Sequence, residues 1–249
     1  MSNIPRKIFQ FWHDKHSVPP DYARAFACNR QTNPHFEFML IDDAFVDTLL
    51  QEHFDGLLVR LYRMNRVPAS RCDMARLAAL YHYGGVYLDA SLKLHGRLDP
   101  VADATGDTAF LMRDDMAKYQ ADPSQAHLCN GFIISRKGSP LMERCLLELM
   151  QTLTSGRYNT DVLNATGPGV INRVVGTAHE DTYVKLSFKE LKSGFLEHLR
   201  ISGLRNSWRS LQAKGIIDPL RLAELLSQPS GSDALDAHGD PEVSSPAGR

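Results

Sequence analysis

Short apolar runs alternate with amphipathic patterns along most of the chain. Apolar runs of strand length occur at 4–12, 37–41, 108–112 and 131–135. Apolar residues at helical spacing occur at 21–30, 44–51 and 140–153. Asp42 or Asp43 is expected to cap the second of these helices. Because alternating strands and helices are typical of a parallel sheet covered by helices, the pattern predicts the α/β class with a mostly parallel sheet.

The most informative stretch runs from 70 to 96 and begins with a predicted helix between Asp73 and Tyr83. The apolar positions at helical spacing in it are Leu77, Leu80 and Tyr81. Asp73 and Arg76 are three residues apart, so they share one helix face. A side-chain oxygen of Ser70 or Asp73 is expected to cap the first turn.

A short strand and an acidic residue follow that helix. Gly84 and Gly85 are expected to end the helix, and 86–88 is a β-prone run. In a continuing strand Asp89 and Ser91 would project from the same face. Open α/β sheets bind ligands at the carboxyl ends of their strands, so these residues predict a site for a polar, multiply charged small molecule.

Each of these features also has a plain structural interpretation. An acid and a base three apart on a helix often form only a weak, solvated ion pair, and two glycines often form only a turn. Trp12 in an apolar strand is more typical of a core residue than of a ligand contact. The succession of helix, break, strand and acid within one unit favours the ligand site.

Composition is compatible with one folded domain, predicted to span 1–226. The 249 residues are 43% hydrophobic and 23% charged, enough to bury a substantial core. Small and polar residues dominate 227–249, which predicts a disordered C-terminal tail. The net charge of -1 gives no electrostatic reason to expect a nucleic acid partner.

The spacing of the cysteines and the lengths of the apolar segments indicate in which cellular compartment the protein is expected. Cys28, Cys72, Cys129 and Cys145 lack C-x-x-C spacing, which predicts free thiols in a reducing compartment rather than zinc or disulfides. No segment approaches the roughly 20 apolar residues that span a bilayer, and the apolar run at 8–12 is too short for a signal peptide. A cytoplasmic protein without a transmembrane segment is expected, and peripheral membrane contact stays open.

The run from Arg71 to Ser91, RCDMARLAALYHYGGVYLDAS, resembles the core signature of bacterial and fungal glycosyltransferases with a DXD sugar-binding region. Their pattern is an S-D-x-x-R helix, then Y-G-G, then a strand that ends in an acidic triplet. The triplet Asp89-Ala90-Ser91 is most similar to that of the capsular polysaccharide synthesis relatives, in which D-A-T or D-A-S is common.

Other segments resemble family elements in the expected order, so the resemblance spans about 4 to 208. They are IPRKIFQFW at 4–12, NPHFEF at 33–38, TGPG at 166–169 and NSW at 206–208. The resemblance implies a GT-A-like fold, in which a mostly parallel, Rossmann-like sheet is flanked by helices.

The resemblance also implies roles for individual residues. Asp89 would contact the nucleotide-sugar donor through its ribose and sugar or through a divalent ion. Asp73 and Arg76 would bind the donor sugar and phosphate, and these three are the candidate catalytic residues. The further candidates for donor binding are Trp12, as the residue stacked on the base, with Gly84, Gly85, Ser91, Ser207 and Trp208.

A Mn²⁺ or Mg²⁺ ion would be held by Asp89 and Ser91. Where relatives carry a second aspartate as a metal ligand, this chain has the neutral hydroxyl of Ser91, a much weaker ligand. The cation is therefore expected to bind weakly or to be dispensable. The family's late histidine is expected at Ser202, and His198 would be only a weak substitute.

These expectations point to a nucleotide-sugar glycosyltransferase of the hexosyltransferase type. It would be anomer-retaining and would act on a polysaccharide or another glycan precursor, lipid-linked ones included. A degenerate sugar-nucleotide-binding protein and a glycan-binding module stay open, and an unrelated nucleotide enzyme is disfavoured by the lack of G-x-x-x-x-G-K-[ST] and G-x-G-x-x-G. Asp114 and Asp115 would face the acceptor or form an ordinary loop cluster.

Overall fold

A computed structural model describes residues 3–112, 128–177, 183–199 and 207–227. Its strands are β1 (Lys7–Phe11), β2 (Glu37–Ile41), β3 (Gly85–Leu88), β4 (Leu92–Leu94), β5 (Thr108–Met112), β6 (Leu128–Ser135), β7 (Val184–Ser187) and β8 (Leu196–His198). Its helices are α1 (Pro20–Thr32), α2 (Asp43–His53), α3 (Gly56–Met64), α4 (Pro68–Tyr83), α5 (Asp99–Ala104), α6 (Pro140–Ser155), α7 (Val162–Ala165), α8 (Pro168–Val175), α9 (Phe188–Leu191), α10 (Ser207–Gln212) and α11 (Pro219–Ser227).

The main sheet has six strands in the order β2-β1-β3-β6-β5-β7. β1 pairs in parallel with β2 and β3, and β5 pairs in parallel with β7. β6 runs antiparallel to both of its neighbours, so the other five strands share one direction. β4 and β8 form a separate antiparallel pair. The expected α/β class with a mostly parallel sheet flanked by helices is confirmed.

Alternate side chains along the strands pack into two hydrophobic cores, one on each face of the sheet. In β3, Tyr87 packs into the core that includes residues of α2, α3, α4, α6 and α8. Val86 and Leu88 pack into the opposite core with residues of β4 and α5. Because both faces of β3 are covered, all four of its residues are buried and none is charged.

Two local expectations for the signature stretch are wrong. α4 begins at Pro68 with Val67 as its N-cap, so Ser70 and Asp73 lie inside the helix and neither caps it. Proline suits the first turn because the N–H that it lacks would be unpaired there. β3 ends at Leu88, and the next three residues form a turn rather than a continuing strand.

α11 is the last helix that the structure describes. α11 ends at Ser227, so the predicted disordered tail, 227–249, starts one residue too early; the rest of that tail, 228–249, lies outside the described residues. Within the described ranges, no helix is long and apolar enough to cross a bilayer. The extent of the single domain, 1–226, stays a prediction.

Candidate active site

A cleft of about 420 Å³ opens beyond the carboxyl ends of β1 and β3. It gathers six of the residues that the sequence singles out: Trp12, Asp73, Arg76, Asp89, Ser91 and Trp208. They come from the ends of two strands, from α4 and from α10, so only the folded sheet brings them together.

Arg76 lies at the centre of this cleft and joins two acids. Its Nη2 is 2.9 Å from Asp73 Oδ1 and its Nη1 is 3.1 Å from Asp89 Oδ1. The guanidinium lies over the Tyr87 ring, 4.6 Å from the centroid, and donates a hydrogen bond to the Asn130 carbonyl. Because the Arg76 side chain is only 5% exposed, the interpretation as a solvated surface pair does not hold.

Asp73 is buried and fully hydrogen-bonded. Besides Arg76, it accepts from Asn130 Nδ2 at 2.8 Å and from the Thr166 hydroxyl at 3.0 Å. Burial raises the pKa of Asp73 to about 6, although the charge of Arg76 and the bond from Thr166 oppose the rise. Asp73 therefore takes up a proton at a pH much closer to neutrality than an ordinary aspartate does.

We expect donor affinity to fall as the pH is lowered through about 6, because a protonated Asp73 loses one of its accepting sites. Titration calorimetry of donor against pH measures the midpoint. Thr166→Val removes a bond that favours the ionised form and should move this midpoint upward. A midpoint near that of a free aspartate, or a downward move in Thr166→Val, would contradict the assignment.

The raised pKa of Asp73 also makes the free energy of unfolding depend on pH. Between pH 3.8, the ordinary pKa of an aspartate, and about 6, the folded protein holds a proton on Asp73 that the unfolded chain has released. The free energy of unfolding should therefore fall as the pH rises through this window.

Asp89 is held by its backbone and leaves its carboxylate partly open. Its N–H donates to the Gly131 carbonyl at 2.7 Å, and its own carbonyl accepts from Gln10 Nε2 at 3.2 Å. The Tyr87 hydroxyl donates to Oδ1 at 3.3 Å. With 35% of the side chain exposed, Asp89 is the more accessible of the two acids.

Gly131 leaves the space that this carboxylate occupies. A Cβ at position 131 would lie 2.6 Å from Asp89 Oδ2 and 3.2 Å from Cγ. The consecutive Asn130 and Gly131 of β6 therefore serve both acids, one by hydrogen bonding to Asp73 and one by making room for Asp89.

A buried amide pair supports the turn after β3. Asn29 Nδ2 donates to Gln10 Oε1 and to the Leu92 carbonyl, each at 3.0 Å, and the Leu94 N–H donates to Asn29 Oδ1 at 2.7 Å. Gln10 and Asn29 are fully buried. They tie β1 and α1 to the backbone on both sides of Ser91.

Trp12 follows β1 and forms an aromatic wall of the cleft with Tyr22 of α1. The two ring centroids are 5.0 Å apart, and both residues line the cleft. Within the described part of the chain, the buried Trp12 Nε1 has no hydrogen-bond partner. Trp208 lines the same cleft from α10. Ser207 begins α10, but its side chain lies outside the described part.

Ser91 lies beside His198 rather than alongside Asp89 on a strand. The Ser91 hydroxyl is 3.5 Å from His198 Nε2, and the Leu199 N–H donates to the Ser91 carbonyl at 2.7 Å. The turn after β3 explains why the expected strand-face pairing with Asp89 is wrong: the Leu92 N–H bonds back to the Asp89 carbonyl at 2.9 Å.

These residues do not by themselves fit a divalent cation. The candidate oxygens are one carboxylate already paired with Arg76 and one neutral hydroxyl, a set much poorer than Mg²⁺ or Mn²⁺ usually receives. Among the residues with described coordinates, no three His, Cys, Asp or Glu side chains are placed to hold a metal ion.

Gly84 and Gly85 lie away from the cleft, at the opposite end of β3. At about 3.3 Å per residue, Gly85 lies about 13 Å from Asp89, and Gly84 is one residue farther away. Asp114 and Asp115 lie outside the described residues. The residues that sequence reasoning missed are Gln10, Tyr22, Asn130, Gly131 and Thr166; of these, Gln10 and Thr166 stand in recognised motif segments without an assigned role.

The structure is thus an α/β fold with an arginine between two acids in one cleft, and this cleft is the candidate site for a small polar ligand. Residues 19–106 match the family described as "Glycosyltransferase sugar-binding region containing DXD motif". This match confirms the resemblance inferred from the motifs over that stretch, which is about a third of the chain.

Curated relatives are similar over part of their length. The chain is 28% identical over 104 residues to inositol phosphoceramide mannosyltransferase 1 of Schizosaccharomyces pombe, covering 41% of this chain and 32% of the relative. It is 28% identical over 98 residues to mannosyl phosphorylinositol ceramide synthase CSH1 of Saccharomyces cerevisiae, covering 39% and 26%. The matches thus span about a third or less of these two relatives.

Among solved structures, the chain is similar to PaToxG glycosyltransferase, with a TM-score of 0.49, 15% identity and 69% of each chain covered. The UDP-bound glycosyltransferase domain of the YGT toxin is similar with a TM-score of 0.45 and 10% identity, over 77% of this chain and 82% of that one.

Proposed function

We propose that this protein transfers a hexosyl unit from a nucleotide-sugar donor to a glycan acceptor. The observation that carries the proposal is the linkage of Asp73, Arg76 and Asp89 in one cleft beside an aromatic wall, within a glycosyltransferase sugar-binding region. Carboxylates suit sugar hydroxyls, and an aromatic face suits a nucleotide base.

Each group has a distinct role in this proposal. Trp12 stacks on the base, with Tyr22 behind it, and Asp89 accepts hydrogen bonds from ribose or sugar hydroxyls. Arg76 is positioned to hold both acids ionised, since its fork is already engaged with Asp73 and Asp89. Direct contact with phosphate is then secondary for this residue.

In the transfer itself, the bond between the sugar C1 and the phosphate oxygen breaks, and a bond from C1 to an acceptor oxygen forms. The acceptor proton leaves with the nucleoside diphosphate. The resemblance supports retention of the anomeric configuration, and NMR of the product anomer tests it. A glycan or lipid-linked glycan acceptor, a capsular polysaccharide context and a cytoplasmic location belong to the same proposal.

The identity of the donor is tested by thermal shift against UDP-, GDP-, CMP- and dTDP-sugars, with and without Mn²⁺. A cognate donor binds only the folded state, so it should raise the melting temperature. Donors of one base should do so and the others should not. No shift with any of them would reject the donor site.

A degenerate sugar-nucleotide-binding protein is the second candidate, and it is favoured by the neutral Ser91 in the acidic triplet. Calorimetry that shows donor binding, together with product analysis that shows neither transfer nor donor hydrolysis, would support it over the enzyme.

A separate prediction concerns the weak cation site. Ser91→Asp adds a hard anionic oxygen to the turn and should tighten Mn²⁺ binding in the presence of the cognate nucleoside diphosphate. Calorimetric titration of Mn²⁺ into both forms measures the change. Equal affinities would show that position 91 does not face the diphosphate. Ser91→Asn is the matched control, because asparagine has nearly the shape of the introduced aspartate without its charge.

A further inference from the structure

A second cleft, of about 580 Å³, lies between α1 and the β4–β8 pair. One wall is a single stripe of α1 with helical spacing, made of Asp21, Arg24, Ala25 and Cys28. The opposite wall is made of Lys93, Glu197 and Leu199, which come from β4 and from the end of β8. We refer to this cleft as the α1–β8 groove.

The α1–β8 groove lies next to the donor cleft, although the two share no lining residue. Tyr22 of the donor cleft directly follows Asp21 of the groove on the first turn of α1. Ser91 of the donor cleft bonds through its carbonyl to the N–H of Leu199, which lines the groove. A ligand that extends from the groove past Ser91 would therefore reach the place where the donor sugar is expected.

Charges in the groove are balanced and already paired. Asp21 pairs with Arg24, and Lys93 Nζ is 3.4 Å from Glu197 Oε2, which also bonds His95 Nε2 at 2.9 Å. Two carboxylates and two permanent cations give no net attraction for a polyanion. They do offer acceptors and donors side by side, which is what a hydroxyl needs, since it both donates and accepts.

We infer that the α1–β8 groove binds the acceptor, and that the acceptor portion held there is a neutral, polyhydroxylated glycan. Its sugar hydroxyls bond to the carboxylates and cations of the two walls, and its reactive hydroxyl reaches past Ser91 toward the donor. The small Ala25 and the half-buried Cys28 leave a shallow apolar floor on which the C–H face of a sugar packs. This inference rests on the proposed transferase function.

Saturation-transfer NMR and titration on the full chain test the groove with defined probes: methyl α-mannoside, methyl β-galactoside, methyl β-glucoside and their β-linked disaccharides. At least one probe should bind. Glu197→Gln and Lys93→Met should each weaken that probe at least about fivefold, as the loss of a hydrogen bond to a charged group would. Glu143→Gln and Lys189→Met make the same chemical changes at exposed positions outside the groove and should leave binding unchanged.

Donor binding and donor hydrolysis are measured on the same variants. Glu197→Gln and Lys93→Met should leave both unchanged, because neither residue lines the donor cleft. Failure of every probe to bind, or binding that none of the groove variants weakens, would overturn the groove inference while intact donor hydrolysis upheld the transferase. If the unmodified protein bound no nucleotide-sugar donor, the proposed function itself would be overturned.

Discussion

Replacing Arg76 by alanine is expected to lower the free energy of unfolding by about 3–5 kcal/mol and to abolish most donor binding. The variant leaves the buried Asp73 without its cation and removes the partner of Asp89 as well. A surface pair three residues apart on a helix would contribute only about 0.2–0.5 kcal/mol, so the two interpretations differ by roughly tenfold. Urea denaturation followed by circular dichroism measures the loss.

Two further variants separate folding from binding at this position. Arg76→Lys keeps the charge but not the fork that reaches two acids at once, so it should remain folded with weaker donor affinity. Arg60→Ala truncates an exposed arginine on α3 and serves as the matched control. Wild-type stability together with normal donor binding in Arg76→Ala would return this residue to a minor structural role.

Asp89→Asn is expected to reduce kcat/KM for the donor by about tenfold or more while the protein stays folded. The change removes a charged acceptor worth about 1.5–3 kcal/mol to its partners, but it keeps the shape of a side chain that is 35% exposed. Steady-state kinetics of transfer or donor hydrolysis provide the measurement, and a melting curve confirms folding. A folded variant with unchanged turnover would remove Asp89 from the site.

Gly131→Ala displaces the Asp89 carboxylate without altering its charge. The added methyl would lie 2.6 Å from Asp89 Oδ2, so the side chain must move and donor turnover should fall with it. Gly106→Ala is the matched control, because a methyl there meets no atom within 4 Å. If both alanine variants turned over normally, the orientation of Asp89 would not matter to the reaction.

The sequence predicts those parts of the fold that depend on local patterns. β2 and β5 match the predicted runs at 37–41 and 108–112, and the Asp42 side chain caps α2, as one of the two expected caps. The signature stretch also contains Asp73, Arg76 and Asp89, which the folded chain places in one cleft. Periodicity and motif spacing are local properties, so a single sequence reveals them.

The missed features depend on contacts between distant parts of the chain. Asn130 bonds to Asp73 across 57 residues, and Thr166 bonds to the same acid across 93. No local pattern marks such partners. The turn after β3 was missed for a related reason, because it is fixed by Gly131 and Gln10 rather than by the residues of the triplet itself.

Gly84 and Gly85, at the start of β3, set how far Asp89 extends beyond the edge of the sheet. Gly85 has a φ of 116°, and a methyl there would lie 2.6 Å from the Lys7 carbonyl, while one on Gly84 would collide with the backbone at Lys137. These close approaches fix the register of the central strand against both neighbours. A search for important residues by distance to the cleft would overlook both glycines, although they act on the reach of Asp89 from the far end of that strand.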